Sequence, residues 1–376
     1  MKFTVSSAEL LRALTTVQGA VPSKATMPIL ESILFVQEDG GLRLSATDLE
    51  ISIEQVVPVR FEANGASASA RVAIPAKRLV DTLRALPDLP VTVSTDEQMN
   101  VTLKTDQGRY KMVGFDGGDY PALPELDGGV TVETEGAMVR RALAKTGFAT
   151  SKDALRPAMQ GIYFQLDADK GRAVATDGHR LVRLQMDGLR SAEPVAFIVP
   201  EKALSLAAKV ATDGPTTLQV ASGHVAITFG TGRVVARLIE ETYPNYEAVI
   251  PVENDRRLTV NRLSLLAAVR RVGLYTSTTT RQIRLGLTAG QVDVSAEDIE
   301  RASEAKEAVL CDYSGEDMVI GFNADYLTEV LSNLDSEDVA VEFSSPNRAG
   351  VVTPATQADG EDLLMLIMPV MLNTYA

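Results

Sequence analysis

Residues 3–14 read FTVSSAELLRAL, an extended run of alternating hydropathy that passes through a serine pair into leucines at helical spacing. The same order returns as VTVETEGAMVRRAL at 130–143 and LTVNRLSLLAAV at 258–269. A Ser, Thr or Asn stands before each helical run, the residue types that accept a hydrogen bond from the unpaired amides of a first helical turn. Leu10, Leu11 and Leu14 have counterparts in Leu265, Leu266 and Val269. A chain that repeats its local pattern at a long, regular interval is built from tandem copies of one unit, so this recurrence decides the fold.

Three further features recur in step. An apolar strand turns directly into a second helix in VAIPAKRLVDTLRAL (72–86), FIVPEKALSLAAKV (197–210) and VIGFNADYLTEVLSNL (319–334). Proline ends the strand in the first two, where it can open a helix because its missing N–H would be unpaired anyway; Phe322 takes that place in the third. ATDLE (46–50) matches ATDGH (175–179) and AEDIE (296–300), and Tyr120-Pro121, Tyr243-Pro244 and Met368-Pro369 close the three units. The interval is a third of the chain, an ordinary domain length.

Between the helices, LRLSATDLEISIEQVV, VTVSTDEQMNVTLKT, GRAVATDGHRLVRLQM and QVDVSAEDIERASEAKE alternate and turn at Gly, Asp and Asn, as antiparallel hairpins do. The expected architecture is α+β: three tandem repeat domains, each of antiparallel sheet with two helices. Breaker-rich PELDGG (124–129) and PVENDR (251–256) place the domains at 1–126, 127–253 and 254–376.

Composition narrows the function. Mean hydropathy of +0.04 with 23% charged residues is that of a globular chain. The start, MKFTVSSAELL, lacks the apolar core of a signal peptide, and the longest apolar stretch, LLMLIMPVML at 363–372, is too short to span a bilayer; a cytoplasmic protein without membrane partners is expected. The single cysteine, Cys311, can form neither an internal disulfide nor a thiolate metal site, and is expected to be a small buried hydrophobe.

A net charge of −14 excludes a surface that grips nucleic acid everywhere, because phosphate neutralisation needs clustered Lys and Arg. The charge is segregated, however: the six predicted helices (6–19, 76–86, 135–148, 200–211, 261–274, 323–334) together carry +6, leaving −20 for the rest. A single pair such as Arg140-Arg141 or Arg270-Arg271 reads equally as a solvated helix face. Six such helices on one side of a molecule would make a basic lining on an acidic body, able to follow phosphates without reading bases.

These repeats, with TMPIL (26–30), ATDLE, DYP (119–121), VATDGHRL (174–181), YPNY (243–246), YSG (313–315), IGFN (320–323) and the terminal MP, resemble the bacterial DNA polymerase III beta subunit family, the beta sliding clamps. The resemblance runs in order from Met1 to about Leu372. It implies the DNA clamp fold and a head-to-tail homodimer that closes as a ring around double-stranded DNA, with sheets outside and helices lining the hole. Such a clamp is a non-catalytic processivity factor of DNA replication, without a cofactor or metal, in the cytoplasm and nucleoid-associated. Its implied partners are the DNA polymerase III catalytic subunit, the clamp loader, and other polymerases, mismatch repair and ligase proteins carrying linear motifs.

Residue by residue, the resemblance implies a cleft for short peptides of Gln, Leu and Phe character at Met159, Thr176, Gly178, His179, Arg180, Leu181, Pro244, Val249, Leu366, Met368, Pro369, Val370 and Met371. Leu, Met, Val and Pro would supply an apolar groove, with Thr, His and Arg as orienting polar groups. DNA contacts would fall on Lys24, Lys77, Arg78, Arg141, Arg156, Lys202, Lys209 and Arg271, and the dimer interface on Tyr110 and Met112 against Leu274 and Tyr275, residues that read equally as internal core. The chain departs from the family where Met371 and Ala248 replace frequent arginines, where Asp153 and Glu201 are acidic, and where Asn373–Ala376 extend the terminus. The lost arginines lean the expected peptide preference toward apolar contacts.

Other readings compete. His179 beside Asp177 or Asp48 could form a general acid–base pair, but no nucleophile motif, phosphate-cradling glycine loop or metal cluster accompanies it. EDIERASEAKE (297–307) reads as a solvated helix face or as an edge strand protected by charge, which a purely structural repeat protein would also carry. The scattered carboxylates lack the spacing of a calcium loop.

Overall fold

The computed structural model describes residues 1–62 and 70–372. In the first third, β1 (Lys2–Ser6) leads into α1 (Ser7–Gln18), then β2 (Ser32–Glu38), β3 (Gly41–Thr47), β4 (Ile51–Val57), the short β5 (Arg60–Phe61) and β6 (Arg71–Pro75). Next come α2 (Ala76–Ala85), β7 (Pro90–Thr95), β8 (Asn100–Lys104), β9 (Arg109–Val113) and β10 (Phe115–Asp116). The middle third repeats this with β11 (Val130–Glu135), α3 (Gly136–Thr146), β12 (Gly161–Leu166), β13 (Gly171–Thr176), β14 (Arg180–Met186), β15 (Val195–Pro200), α4 (Glu201–Val210), β16 (Pro215–Ala221), β17 (His224–Phe229) and β18 (Gly232–Arg237). The last third has β19 (Arg256–Asn261), α5 (Arg262–Val272), β20 (Gln282–Thr288), β21 (Gln291–Asp298), β22 (Ser303–Ser314), β23 (Met318–Asn323), α6 (Ala324–Ser332), β24 (Asp338–Phe343), β25 (Gly350–Pro354) and β26 (Glu361–Ile367).

The repeat is visible in the strand register. Pro75, Pro200 and Asn323 end their strands opposite Ser32, Gly161 and Gln282, each the first residue of the neighbouring strand. The counterpart of the two prolines is therefore Asn323, not Phe322, which is fully buried in the core. Asn323 takes the place because its side chain accepts from the Asp325 and Tyr326 amides, capping α6 as a proline cannot. The prolines themselves stay in the strands, and the helices open one residue later, at Ala76 and Glu201.

Ser6 and Asn261 cap α1 and α5 in the expected way, accepting from Glu9 N and Ser264 N. The middle helix opens instead on Gly136, where a Cβ would stand 1.9 Å from the Thr212 carbonyl oxygen. EDIERASEAKE forms the end of β21, a turn that carries Glu300 and Arg301, and the start of β22, so it is a hairpin rather than a helix face.

The chain packs as two compact units, one of Met1–Arg140 with Lys202–Leu238 and one of Arg141–Glu201 with Ile239–Ala376. The first holds a five-stranded sheet, β5-β1-β7-β8-β9, and a nine-stranded sheet, β10-β6-β2-β3-β4-β18-β17-β16-β11. Its core includes Phe3, Leu10, Leu14, Phe35 and Ile53, all without solvent exposure. The second holds the twelve-stranded order β15-β12-β13-β14-β26-β25-β24-β19-β22-β21-β20-β23 around Phe322, Val269, Ile283 and Met365. Each large sheet thus continues from one repeat into the next, through β4–β18 in the first unit and β14–β26 in the second.

Candidate functional site

The hairpin between β13 and β14 carries the TDGHR residues of the expected cleft, and its shape follows from two short side chains. Thr176 Oγ1 donates to the Arg180 carbonyl at 2.7 Å and accepts the Gly178 amide at 3.1 Å, while Asp177 Oδ1 accepts the His179 and Arg180 amides at 2.9 and 3.0 Å. The turn requires φ +89° at Gly178, a left-handed value that glycine takes without strain. Asp177 is therefore spent on backbone and on Arg180 Nε, not on the His179 imidazole, which stacks on Tyr326 at 5.5 Å. That geometry removes the Asp177 pairing considered from the sequence, and Asp48 is taken up by its own turn and by Lys202.

The segment after β26 lies against this hairpin. Met368 N donates to the His179 carbonyl and Val370 N to that of Gly321, each at 2.8 Å. Met368 and Met371 are 43% and 74% exposed and Val249 is 55% exposed, so apolar side chains do face solvent there. Leu181 and Leu366, by contrast, face each other across β14–β26 and are buried with Val174, Ile198, Tyr243 and Tyr246. Pro244 follows Tyr243, whose ring stacks on Tyr163 at 4.7 Å, and Met159 is half-buried in a 3₁₀ turn (Pro157–Gln160) beside Ala158, which packs on the same cluster. Pro369 and Val370 are half-buried, and the expected role of Asn373–Ala376 lies outside the described residues.

Of the three polar groups expected to orient a peptide, only His179 is exposed. Thr176 is consumed by the turn, and the Arg180 side chain is 8% exposed, sealed by Asp177, Glu329 and the Phe148 carbonyl and stacked between the Phe148 and Tyr326 rings. Sequence reading does not single out Tyr326 and Glu329; their offset from Asn323 on a cap-led helix places them only with the register in hand.

The eight basic residues expected at DNA divide into two groups. Lys24, Lys77, Arg78 and Lys209 are exposed and, among the described residues, have no ion pair. Arg141 is half-buried on Glu361 and Asp335, Arg271 chelates Glu307, Lys202 meets Asp48, and Arg156 meets Asp153 and the Asp177 carbonyl. The bidentate bond to Glu361 raises the Arg141 pKa, and that to Arg271 holds the Glu307 carboxyl below its usual range.

Among the described residues several strands have a neighbour on one side only, β9 and part of β22 among them. β9 ends its sheet, and β22 over Ser303–Leu310 has a neighbour on one side only among the described residues, before Cys311–Ser314 pair with β19. β9 exposes Arg109, Tyr110 and Lys111 and borders a groove with Lys77, Arg78 and Thr82 of α2, with a volume near 870 Å³. Met112 is 5% exposed and belongs to the core of its own chain, whereas Leu274 and Tyr275 are 78% and 44% exposed. Cys311 is half-buried, not buried, because β22 changes partners there.

Comparison with known proteins agrees with this architecture. Three models of the DNA polymerase III beta subunit match in succession: the N-terminal domain at residues 1–124, the central domain at 133–245 and the C-terminal domain at 247–370. A beta sliding clamp from Pseudomonas putida is 30% identical over 376 residues, spanning 99% of this chain and 100% of that protein. One from Caulobacter vibrioides is 31% identical over 358 residues, 92% of this chain and 94% of its own length. The crystal structure of a sliding clamp from Pseudomonas aeruginosa bound to griselimycin superposes with a TM-score of 0.92 at 29% identity, over 99% of this chain and 100% of that one. With its three tandem domains of antiparallel sheet and paired helices, the chain has the DNA clamp fold and belongs to the DNA polymerase III beta subunit family.

Proposed function

We propose that two copies of this chain join head to tail through β9 of one and β22 of the other, and that the resulting ring slides on duplex DNA. The chain is a DNA sliding clamp of replication and a non-catalytic processivity factor; its family implies partnership with DNA polymerase III and a dimeric ring on DNA. The observation that carries the pairing is the register of the two internal junctions. Ile53, opposite Ala46, faces Val234 at the first, and Val182, opposite Ala175, faces Met365 at the second. The third member of the first series is Ala305, opposite Ala296, and that of the second is Tyr110, opposite Leu103, as Val234 is opposite Ile227.

Continuing the series pairs Tyr110 of one copy with Ala305 of the other and sets Lys111 against Glu304. That opposes unlike charges at Lys111 and Glu304, while Arg109 falls opposite Lys306, whose ammonium is already held by Asp293 at 2.9 Å. Leu274 and Tyr275 would enter the groove between α2 and β9. A closed ring is held by topology, so Lys24, Lys77, Arg78 and Lys209 need only give a mobile hold on phosphates.

The exposed Met368, Met371 and Val249, with His179, would take linear motifs of the polymerase, the clamp loader, and mismatch repair and ligase proteins, methionine adapting to several partners at low cost. No described helix is long and apolar enough to cross a membrane, and a cytoplasmic, nucleoid-associated site of action fits the role. The test is retention on nicked circular DNA after loading. Release only when the circle is cut establishes a topological ring, whereas equal retention on linear DNA means ordinary binding.

A further inference from the structure

Each repeat has two helices, and the second ends on carbonyls that no amide of its own helix can reach. In the middle repeat Arg140 of α3 donates to the Ala211 carbonyl just past α4, at 2.6 Å. In the last repeat Arg262 of α5 donates to the Leu331 carbonyl of α6 at 3.3 Å, and Lys145 donates to that of Asn333 at 2.6 Å. A cation there also meets the negative end of the helix dipole. Among the described residues, the last turn of α2 receives no side-chain donor: Ala85 is exposed, and Arg84 at that end turns back to Asp81.

Lys145 reaches its carbonyl across a junction between repeats. Helices α1, α3 and α5 open at Ser7, Gly136 and Arg262, so their tenth residues are Thr16, Lys145 and Arg271; α2, α4 and α6 open at Ala76, Glu201 and Ala324, which puts Ala85, Val210 and Asn333 tenth. Lys145 on Asn333 is tenth on tenth, at the junction where β14 joins β26, and its side chain is 5% exposed there. The first junction offers no cation: Thr16 donates to the Arg12 carbonyl of its own helix, and Gly19 lets Leu206 approach, a Cβ there standing 2.7 Å from it. The third junction is the one proposed between copies, and its tenth residues are Arg271 and the partner's Ala85.

Arg271 is placed to make that bond. Its Nε and Nη2 donate to Glu307 at 2.8 and 2.6 Å, which orients the guanidinium and leaves Nη1 without a partner among the described residues; the side chain is 61% exposed. Lys145 also meets Asp335, two residues past Asn333; Pro87 holds that place after α2, and Arg271 has a carboxylate from its own repeat instead. Leu274 and Tyr275, which follow Arg271, are the residues assigned to the groove that Ala85 helps to line.

We infer that Arg271 is a ring-closing residue, its Nη1 donating to the carbonyls that end α2 of the second copy while Glu307 holds it in place. The inference rests on the head-to-tail reading above, and it moves Arg271 from the DNA surface to the contact between copies.

The test is the dimer dissociation constant of the full-length protein, read by sedimentation equilibrium. Arg271→Ala is expected to raise it on the order of tenfold. Arg271→Lys should recover part of that, as the ammonium of Lys145 makes the same bond. Arg271→Ala with Glu307→Ala should remain as weak as Arg271→Ala, so that a stranded carboxylate is not the cause. Arg270→Ala, which removes a neighbouring cation bonded to Ser332 of its own repeat, should change nothing. Position is read with Ala85→Cys and Arg271→Cys in a Cys311→Ser chain, where a short bis-maleimide should link two copies. An unchanged constant in Arg271→Ala, or one restored by the added Glu307→Ala, overturns the inference, as does a dimer whose cysteines fail to cross-link. If the unaltered protein is a monomer at every concentration, the head-to-tail reading itself falls and the inference with it.

Discussion

The Tyr120 hydroxyl accepts the Thr47 amide at 3.2 Å, tying the end of the first repeat to the base of its own hairpin. Tyr243 does the same for the second repeat, donating to the Val174 carbonyl at 3.4 Å. Burial pushes the Tyr120 phenol up to about 12 and raises that of Tyr243 as well. Because the unfolded phenols ionise near pH 10, the folded state holds the extra protons, and stability intact below pH 10 falls as pH rises through the folded values. The double variant Tyr120→Phe, Tyr243→Phe should lose less stability between pH 10 and 11, by about 1 kcal/mol per phenol in urea titrations. An unchanged alkaline slope would reject the assignment.

The proposed ladder makes a charge-swap prediction. Lys111→Glu should place a carboxylate against Glu304 and shift sedimentation toward monomer, and Glu304→Lys in the same chain should restore the dimer. Failure of the second change to rescue the first would put the register elsewhere.

Free and paired cations should differ at DNA. Lys24→Ala with Lys209→Ala removes two unpaired charges, so the salt dependence of DNA binding should flatten by about 0.9 for each phosphate left without its cation. Arg271→Ala should alter that slope little, because Glu307 already neutralises it, while Arg141→Ala should lower the melting temperature by stranding half-buried Glu361. Equal slopes in both sets would show that the pairs open on DNA.

At the cleft, His179→Ala should weaken binding of a Gln-Leu-Ala-Leu-Phe pentapeptide without moving the melting temperature, since the ring is exposed and its backbone turn is held by Asp177. Met371→Arg, which restores the residue frequent at that position in the resembled family, should favour peptides with an added carboxylate. A calorimetric titration reads both, and an unaffected His179→Ala protein would remove the imidazole from the recognition surface.

The helices are legible in the sequence to within about two residues at each end because an amphipathic stripe and a cap are local signals. So are the hairpins, whose turn residues lie next to one another in sequence. What sequence reading misses depends on distant partners. Arg180 reads as an orienting group because Glu329, which seals it, is separated from it by 149 positions. Leu181 and Leu366 read as groove lining, but they pair across β14–β26 where the sheet is covered on both faces, Val182 and Met365 being buried beside them. Asn323 is passed over for Phe322 because proline draws the alignment, although a cap and a strand-ending proline occupy the same ladder position.

Continuing a sheet from one repeat into the next has a consequence for synthesis. As the chain leaves the ribosome, β4 emerges with an open edge, and its partner β18 lies beyond the rest of the first repeat and every other strand of the middle one. Ile51 and Ile53, buried in the finished protein, must wait on that exposed margin for Ala236 and Val234 to be translated. The first repeat is therefore a nascent species in need of shielding, and a chain stopped after it would display an apolar strand ready to pair with its neighbours on the same messenger.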